Sequence, residues 1–519
     1  MPLLESALTL LAVAVALLIA TRRSGVPYPA MLALAGGCVA ALSSAPYVAI
    51  EPHLALALFV APSVMDAAFD MPPRVLLRHW VPLTSLAVLL VVVTAVVVAG
   101  LGLWRMHLPL AAAMALGAVV APPDAAAASA VLRQSNIPRR TMAVLQGESL
   151  LNDVVALLIF GVAIAIGADG ALGDGSTWAL RLLFAAPGGV VLGLVAGALL
   201  VRIATVASGT VSSIIVRFVL TYGTWIVAER LRMSSIAAVA ALAMVVARLG
   251  PSRTSARDRV SANAVWSASV FVLNVLAFLM VGLQARSILA GLAGDERWIA
   301  LEFAALVLAG VTLVRIVWVL AYSVLLRSMH ARIGHRMQGV VVPSARAALL
   351  VSWCGMRGLV TLATALALPA SFPARDLIVL TAFVVVLGTL VVQGFTIRPL
   401  VALLKIEEDC SLCAEISRGR RAMLDEALQL LSSREGSVAD TVRREYAAAR
   451  AIAADCARPQ AQTEYDMLRL EIIARQRRVL EDWRVRECID DDAFHRLEEE
   501  LDRKELCAAP RDAIELAKA

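Results

Sequence analysis

Residues 1–402 consist of long apolar blocks that are separated by short polar connections. The blocks run for roughly 18 to 28 residues, which is the length that an α-helix needs to cross a bilayer. Hydrophobic residues make up 60% of the whole chain, and a soluble protein of this length could not bury so much apolar surface. The pattern therefore predicts an all-α polytopic membrane protein with about thirteen transmembrane helices.

The composition changes after residue 402. Residues 403–519 are rich in charged residues at helical spacing, as in RLEEELDRKEL. Opposite charges at positions i and i+4 stabilise solvated helices. We therefore predict two domains, a transmembrane domain over 1–402 and a helical cytoplasmic tail over 403–519. The tail is either a set of solvated helices or an element that regulates the transmembrane domain.

The positions of arginine predict the orientation in the membrane, because no lysine precedes Lys405. Alternate connections carry arginine pairs, among them Arg22 with Arg23 and Arg139 with Arg140. The positive-inside rule places these connections and the tail in the cytoplasm and the amino terminus outside. This topology also explains the net charge of +6, so we expect no nucleic-acid partner.

Two of the predicted spans contain residues that break helices. Pro122 and Pro123 interrupt the fifth span, and Gly355 and Gly358 interrupt the twelfth. Transporters often carry broken helices at matching places in two inverted halves, with the substrate site between them. The spacing of the two breaks predicts two inverted six-helix repeats whose broken helices cross.

Within the predicted spans, five ionisable side chains stand out as functional candidates, since charge at membrane depth is costly: Asp66, Asp124, Glu148, Asp153 and Arg357. The motif GESLLND places Asp153 and Asn152 in the middle of the sixth span. A carboxylate in a low dielectric binds either a small cation or a proton, and each one disfavours the other. This competition predicts exchange of a cation for a proton at Asp153.

The other charged candidates leave more than one role open. Arg357 keeps its charge and needs a buried anion, for which we predict Glu148. Asp124 follows the proline break, where it could complete a cation site with unpaired carbonyl groups or neutralise a helix dipole. Asp66 lies near a cytoplasmic span end, where it could have a function or simply face water.

These motifs together resemble a known family. GESLLND, APPDAAAASAV, VMDAAF and SWCGMRGLVTLA are similar to segments of the monovalent cation:proton antiporters of the first family, the bacterial relatives of eukaryotic sodium/proton exchangers. The resemblance covers nearly all of residues 1–402. It implies a thirteen-helix inverted-repeat fold, in which a core subdomain moves against a dimerisation subdomain. It also implies a homodimer among the lipids of the bacterial inner membrane.

The resemblance further implies a role for each matching residue. These are the shared cation and proton site at Asp153 with its neighbour Asn152, a ligand serine at Ser149, the aspartate of the unwound helix at Asp124, an acidic position at Asp66, and a structural ion pair of Glu148 with Arg357. The threonine that the family often carries is replaced by Pro123, whose carbonyl group is expected to take its place. We therefore expect Na⁺ to bind at Asp153 and Asp124.

The predicted function is exchange of Na⁺, with Li⁺ as a further cation, for H⁺ by alternating access. We expect one-for-one, electroneutral exchange that serves pH and sodium homeostasis. No enzymatic activity and no cofactor are expected, since Na⁺ and H⁺ are the transported substrates. The alternatives are a K⁺/H⁺ antiporter of the same fold and a cation channel gated by the tail. An intramembrane aspartyl protease is disfavoured because neither Asp124 nor Asp153 lies in a G-x-G-D motif.

Overall fold

A computed structural model of the chain describes residues 28–40, 51–71, 73–124, 137–169, 175–206, 210–250, 255–290, 296–333, 344–405, 411–454, 464–486 and 488–508, with a few isolated residues between them. Every element among these residues is a helix, and none is a strand. Internal contacts divide the chain into two compact units, Met1–Glu407 and Glu408–Ala519. The predicted first span, near 4–21, lies mostly outside the described residues, and Arg22 and Arg23 lie wholly outside them.

Thirteen longer helices of the first unit are labelled here in chain order: α1 Tyr28–Ala40, α2 Ala61–Phe69, α3 Leu90–Met106, α4 Leu110–Val120, α5 Arg139–Asp169, α6 Gly175–Val206, α7 Thr210–Arg230, α8 Ser235–Leu249, α9 Ala256–Leu283, α10 Glu296–Ile333, α11 Ala345–Trp353, α12 Leu359–Leu366 and α13 Arg375–Leu404. Shorter helical segments extend some of them, including Pro52–Ala55 and Leu56–Val60 before α2, and Trp80–Thr84 and Ser85–Leu89 before α3.

Seven helices among the described residues are long and apolar enough to cross a membrane: Trp80–Met106, Arg139–Gly167, Phe184–Ala204, Val211–Arg230, Asp258–Leu283, Arg297–Arg332 and Arg375–Leu404. Four further apolar helices are shorter, and one of these is Leu110–Val120. At 1.5 Å per residue, α4 is roughly 16 Å long, about half of the apolar thickness of a bilayer. This helix therefore crosses only part of the membrane before it is interrupted.

The short helix α4 lies in the centre of the membrane unit. Ala112, Ala113 and Leu116 are fully buried within the largest apolar cluster. A helix that is apolar on all sides is expected to be surrounded by other helices. A Cβ atom on Gly117 would overlap the carbonyl oxygen of Ala95 in α3, so a larger residue could not occupy this position. The small residue lets the two backbones approach closely, which is how helices commonly pack within lipid.

The second unit contains two helical hairpins. The first consists of α14 Ser411–Ser432 and α15 Ser437–Ala454, and the second of α16 Glu464–Val485 and α17 Asp491–Ala508. The second hairpin buries a small apolar cluster of Ile473, Leu480, Phe494 and Leu501. On its surface, Arg477 contacts Asp502 at 2.7 Å and Glu505 at 2.5 Å. The charged residues of this segment thus form helices, as their spacing predicts.

Candidate ion-binding site

Two helices of the membrane unit are interrupted where the sequence carries prolines and glycines. The helix α4 ends at Val120, and residues 121–124 are not helical. Proline has no N–H group and clashes with the preceding turn, so the pair at 122–123 ends this helix. The break between α11 and α12 covers residues 354–358. The two breaks meet, because the backbone N–H of Asp124 donates a hydrogen bond of 2.7 Å to the carbonyl oxygen of Met356.

Arg357 binds the carboxyl end of the first broken helix. Its Nε donates to the carbonyl oxygen of Val120 at 3.1 Å, and its Nη2 donates to that of Ala121 at 3.3 Å. A third donor, Nη1, contacts the carbonyl oxygen of Gly355. Carbonyl groups at the end of a helix lack partners within the helix and carry partial negative charge. The buried guanidinium of Arg357 therefore satisfies them and neutralises the end of α4.

Asp124 lies at the amino end of the second broken helix. Gly358 directly precedes α12, and a Cβ atom on Gly358 would overlap the carboxylate of Asp124. The amino end of a helix presents free N–H groups and partial positive charge, both of which favour an anion. Asp124 and Arg357 thus each sit at an end of the helix on the other side of the crossing. This placement fits the dipole-neutralising role that the sequence left open for Asp124.

Glu148 is paired with Arg315 and not with Arg357. The Nη1 and Nη2 atoms of Arg315 contact the two carboxylate oxygens of Glu148 at 2.5 and 2.9 Å. Both residues are only 1% exposed, and Arg315 also donates to the carbonyl oxygen of Val351 at 3.1 Å. The predicted direct pair of Glu148 with Arg357 is not formed among the described contacts, although the charge of Glu148 still acts on Arg357. The physical reason is that helix-end carbonyl groups occupy the donors of Arg357, which needs no carboxylate to satisfy them.

Arg315 is not among the site residues predicted from the sequence, although its position in the chain marks it as a candidate. It lies in the middle of α10 and is the only charged residue between Glu302 and Arg327. An isolated arginine at that depth requires a buried anion or backbone carbonyl groups as partners. Its side chain also lies close to the second break, because a Cβ atom on Gly355 would come within 2.7 Å of Arg315 Nε and 3.1 Å of Arg357 Nη1. Glycine at this position leaves room for both guanidinium groups.

Asn152 connects the long helix α5 to the first break. Its Nδ2 donates a hydrogen bond of 2.8 Å to the carbonyl oxygen of Pro123. The Oδ1 atom of the same amide is buried and has no hydrogen-bond partner among the described residues. An unpaired buried oxygen is costly unless it binds water or an ion. The side chain therefore offers an oxygen ligand beside the break.

Asp153 follows in the chain and is 8% exposed. Its carboxylate lies close enough to Asp124 for the two charges to interact, and Ser149 is one helical turn earlier on the same face of α5. Carboxylate, amide and carbonyl oxygens are the ligands that hard cations prefer. Among the described residues, no group of three or more Asp, Glu, His or Cys side chains is arranged to hold a metal ion. A cation here would rely on neutral oxygens besides the carboxylates.

Asp66 lies half-buried on α2, and its charge acts on Arg217 of α7. The apolar cluster in which α2 packs also contains Leu150 of α5, and Leu359 of α12 packs against it. The structure therefore brings together the two broken helices and the polar residues of α5, and the helix that carries Asp66 contacts α5.

A polytopic helical bundle, in which two interrupted helices meet beside a buried carboxylate, is the architecture of a membrane transporter. Comparison with known families agrees with this class. The family model for the sodium/hydrogen exchanger, transmembrane, matches residues 9–403. The chain belongs to this family of transporters, and the resemblance seen in the sequence motifs is confirmed.

Similar proteins include exchangers from several organisms. An uncharacterized Na(+)/H(+) exchanger of Mycobacterium tuberculosis (strain CDC 1551 / Oshkosh) is 30% identical over 510 residues, which cover 92% of this chain and 91% of the relative. A sodium, potassium, lithium and rubidium/H(+) antiporter of Bacillus pumilus (strain SAFR-032) is 29% identical and covers 79% of this chain and 63% of that protein.

A solved structure supports the fold. The sodium proton antiporter of Methanocaldococcus jannaschii at pH 8 matches with a TM-score of 0.59 and 17% identity, over 78% of this chain and 99% of the other. At this identity the likeness concerns the fold, and it agrees with the all-helical membrane architecture described above.

Proposed function

We propose that the chain exchanges a monovalent cation, sodium in the first place, for a proton by alternating access. The observation that carries this proposal is the position of Asp153. It is a buried carboxylate next to an amide that is bonded to the broken backbone at Pro123. The names of similar proteins as Na(+)/H(+) exchangers support the choice of sodium. The alternative, potassium/proton exchange, is favoured by a relative that is named for sodium, potassium, lithium and rubidium.

The proposed mechanism assigns binding to the oxygens around the first break. Asp153 binds the cation when it is ionised and releases it when it takes up a proton. The unpaired Oδ1 of Asn152 and the hydroxyl of Ser149 supply neutral ligands, and the carbonyl group of Pro123 fixes Asn152. Asp124 contributes negative charge at the crossing of the helices. Asp66 attracts the cation on its way to the site.

One-for-one exchange follows from the charges that are fixed by partners. Arg315 binds both carboxylate oxygens of Glu148, and in this mechanism the buried ion pair persists throughout the cycle. Asn152 cannot carry a proton, and Asp124 remains at the amino end of α12. Only Asp153 then alternates between proton and cation, and the site crosses with the same charge in both directions. A membrane voltage acts only on net charge moved and should give no net drive.

The proposed assembly is a homodimer in the bacterial inner membrane, surrounded by lipid. Its transmembrane domain has thirteen helices in two inverted repeats, with core and dimerisation subdomains. The amino terminus lies outside and the tail in the cytoplasm, and exchange serves pH and sodium homeostasis.

Truncation after Lys405 removes no helix that carries a proposed ligand. It should leave transport intact, with a changed pH dependence if the tail regulates, and complete loss of transport in a folded truncated protein would contradict this arrangement.

The function is tested with purified protein in proteoliposomes that carry a pH-sensitive dye. Sodium, lithium and potassium are added in turn, and proton movement should respond to sodium and lithium at lower concentrations than to potassium. Asp153→Asn should fold as a dimer and show no exchange, whereas near-normal exchange would refute the assignment. A larger response to potassium would favour the alternative antiporter. Cation flux that persists without a counter-gradient would identify a channel.

Electroneutrality needs a separate measurement. Sodium-driven proton movement is compared with and without a voltage clamp of potassium and valinomycin. The two rates and the final pH differences should agree. A current on a supported membrane that scales with turnover would show that a second carboxylate titrates, with Asp124 the first to examine.

A further inference from the structure

Arg217 is a buried arginine that the site described above does not use. It lies eight residues into α7 and is 8% exposed. Its Nη1 donates a hydrogen bond of 3.1 Å to Oδ1 of Asn263. Its guanidinium carbon lies 4.5 Å from the ring centre of Trp266 and 4.9 Å from that of Phe69. One side chain thus connects α7 with α9 and with the end of α2.

These direct contacts fix the position of the positive charge but do not neutralise it. An amide oxygen and two aromatic rings carry no net charge, although ring faces attract a guanidinium group. The carboxylates that act on Arg217 are Asp66 and Asp70. Asp66 and Phe69 lie in the last turn of α2, and Asp70 directly follows that helix. The guanidinium group of Arg217 lies over the ring of Phe69. The arginine is therefore held next to the acidic residue that we assign to cation entry.

We propose that Arg217 is a positioning residue that sets the electrostatic potential at Asp66 and so the apparent affinity for the incoming cation. The inference rests on the proposed function. A fixed positive charge beside Asp66 weakens the attraction of that carboxylate for a cation. Because two rings and an amide hold the guanidinium in place, the charge does not swing out into water. Arg217 thus keeps the affinity of Asp66 for the cation moderate, since a cation bound too tightly at the entrance would not dissociate towards Asp153.

Two substitutions at one position separate charge from structure. Arg217→Gln removes the charge and keeps a donor for Asn263. It should lower the half-saturating sodium concentration by about three- to tenfold, with a smaller change in maximal rate. Arg217→Lys keeps the charge and should stay within about twofold of the wild type. In an Asp66→Asn background, Arg217→Gln should change the half-saturating concentration less than about twofold, because the carboxylate on which it acts is gone.

The control is Arg105→Gln, which removes a half-exposed arginine at the end of α3 and should leave the half-saturating concentration unchanged. The inference is overturned if Arg217→Gln and Arg217→Lys lower the thermal stability equally while neither shifts the sodium dependence. If Arg217→Gln does not fold, Arg217→Met decides. It removes the charge, keeps an apolar side chain that fills most of the same space, and should lower the half-saturating concentration by about three- to tenfold, so an unchanged value would overturn the inference.

Failure of this inference differs from failure of the proposed function. An active wild type whose sodium dependence ignores Arg217 contradicts the inference alone. A folded wild type without any sodium-dependent proton movement contradicts the proposed function, and the inference with it.

Discussion

The buried pair of Glu148 and Arg315 gives the sharpest test of the structure. Glu148→Gln leaves the guanidinium of Arg315 buried without its carboxylate, and Arg315→Gln leaves the carboxylate of Glu148 without its cation. Both side chains are 1% exposed, so water does not reach either group to compensate. Each single substitution should therefore be strongly destabilising.

The magnitude follows from the contacts. Arg315 makes two short bonds to Glu148, at 2.5 and 2.9 Å. Removing one member of a buried pair costs about 3–5 kcal/mol, because the other charge remains uncompensated. At about 2 °C per kcal/mol for a large chain, each single variant should melt roughly 6–10 °C below the wild type. The double variant has no uncompensated charge, so its loss should fall short of the sum by about 3 kcal/mol.

The assay is thermal unfolding of the purified protein in one detergent, followed by intrinsic fluorescence for the wild type, both single variants and the double variant. The matched control pairs Glu148→Gln with Arg357→Gln. Arg357 donates to carbonyl groups of the broken helices and interacts with the charge of Glu148 only without a direct contact, so this second cycle should show a smaller coupling than the first. Additive losses in the first cycle, or a larger coupling in the second, would refute the assignment of Arg315 as the partner.

Three further outcomes follow from the structure. Gly358→Ala places a methyl group against the carboxylate of Asp124 and should cost about 1–3 kcal/mol of stability together with most of the exchange activity; Gly100→Ala, which meets no atom within 4 Å, should change neither. Asn152→Leu leaves a buried carbonyl group unpaired and removes a ligand oxygen, and a loss of about 1.4 kcal/mol in binding would raise the half-saturating sodium concentration tenfold. An unchanged sodium titration would contradict the role of this amide. Partial burial lowers the pKa of His79 below its usual 6.5, and the positive charges of Arg140 and Arg78 lower it further. The folded state therefore binds a proton at His79 less readily than the unfolded state. Stability should then fall as the pH drops from 6.5 through the lowered pKa. In His79→Asn, the melting temperature should depend less on pH over this range.

The fold class could be predicted from the sequence because membrane helices leave a strong local signal. Apolar blocks of sufficient length mark the spans, and the breakers at Pro122, Pro123 and Gly355 mark the interruptions. The backbone hydrogen bonds of a membrane helix are satisfied within its own segment, so each span is visible in a short window of sequence. The family could also be predicted from a short stretch of sequence, because the GESLLND motif is itself local.

The partner of Glu148 could not be predicted in this way, because pairing depends on how distant helices pack. Arg315 and Arg357 are both buried arginines, and the sequence provides no distance from either to the carboxylate. The prediction also treated a carboxylate as the only way to satisfy Arg357. A broken helix offers a second way, because its last carbonyl groups are unpaired and partly negative. The contact between the two breaks therefore lets carbonyl groups satisfy Arg357, and Glu148 pairs with Arg315.

The distribution of compensated charge around the crossing supports the proposal that Asp153 is the exchanging group. Arg357 is neutralised by the carboxyl end of α4, Asp124 lies at the amino end of α12, and Glu148 is bound by Arg315. Each of these groups loses favourable contacts if its charge changes. No salt bridge reaches Asp153 within the part of the chain that the structure describes. In the proposed mechanism, the counter-charge for this buried carboxylate comes from a mobile species, and a proton or a small cation supplies it in turn. A fixed cation introduced next to Asp153 would occupy that role permanently. Ser149→Lys, one turn away on the same face of α5, should therefore abolish exchange, whereas Ser149→Ala should weaken cation binding and retain turnover. Sodium-driven exchange that survives Ser149→Lys in a folded protein would show that another carboxylate carries the exchanged charge.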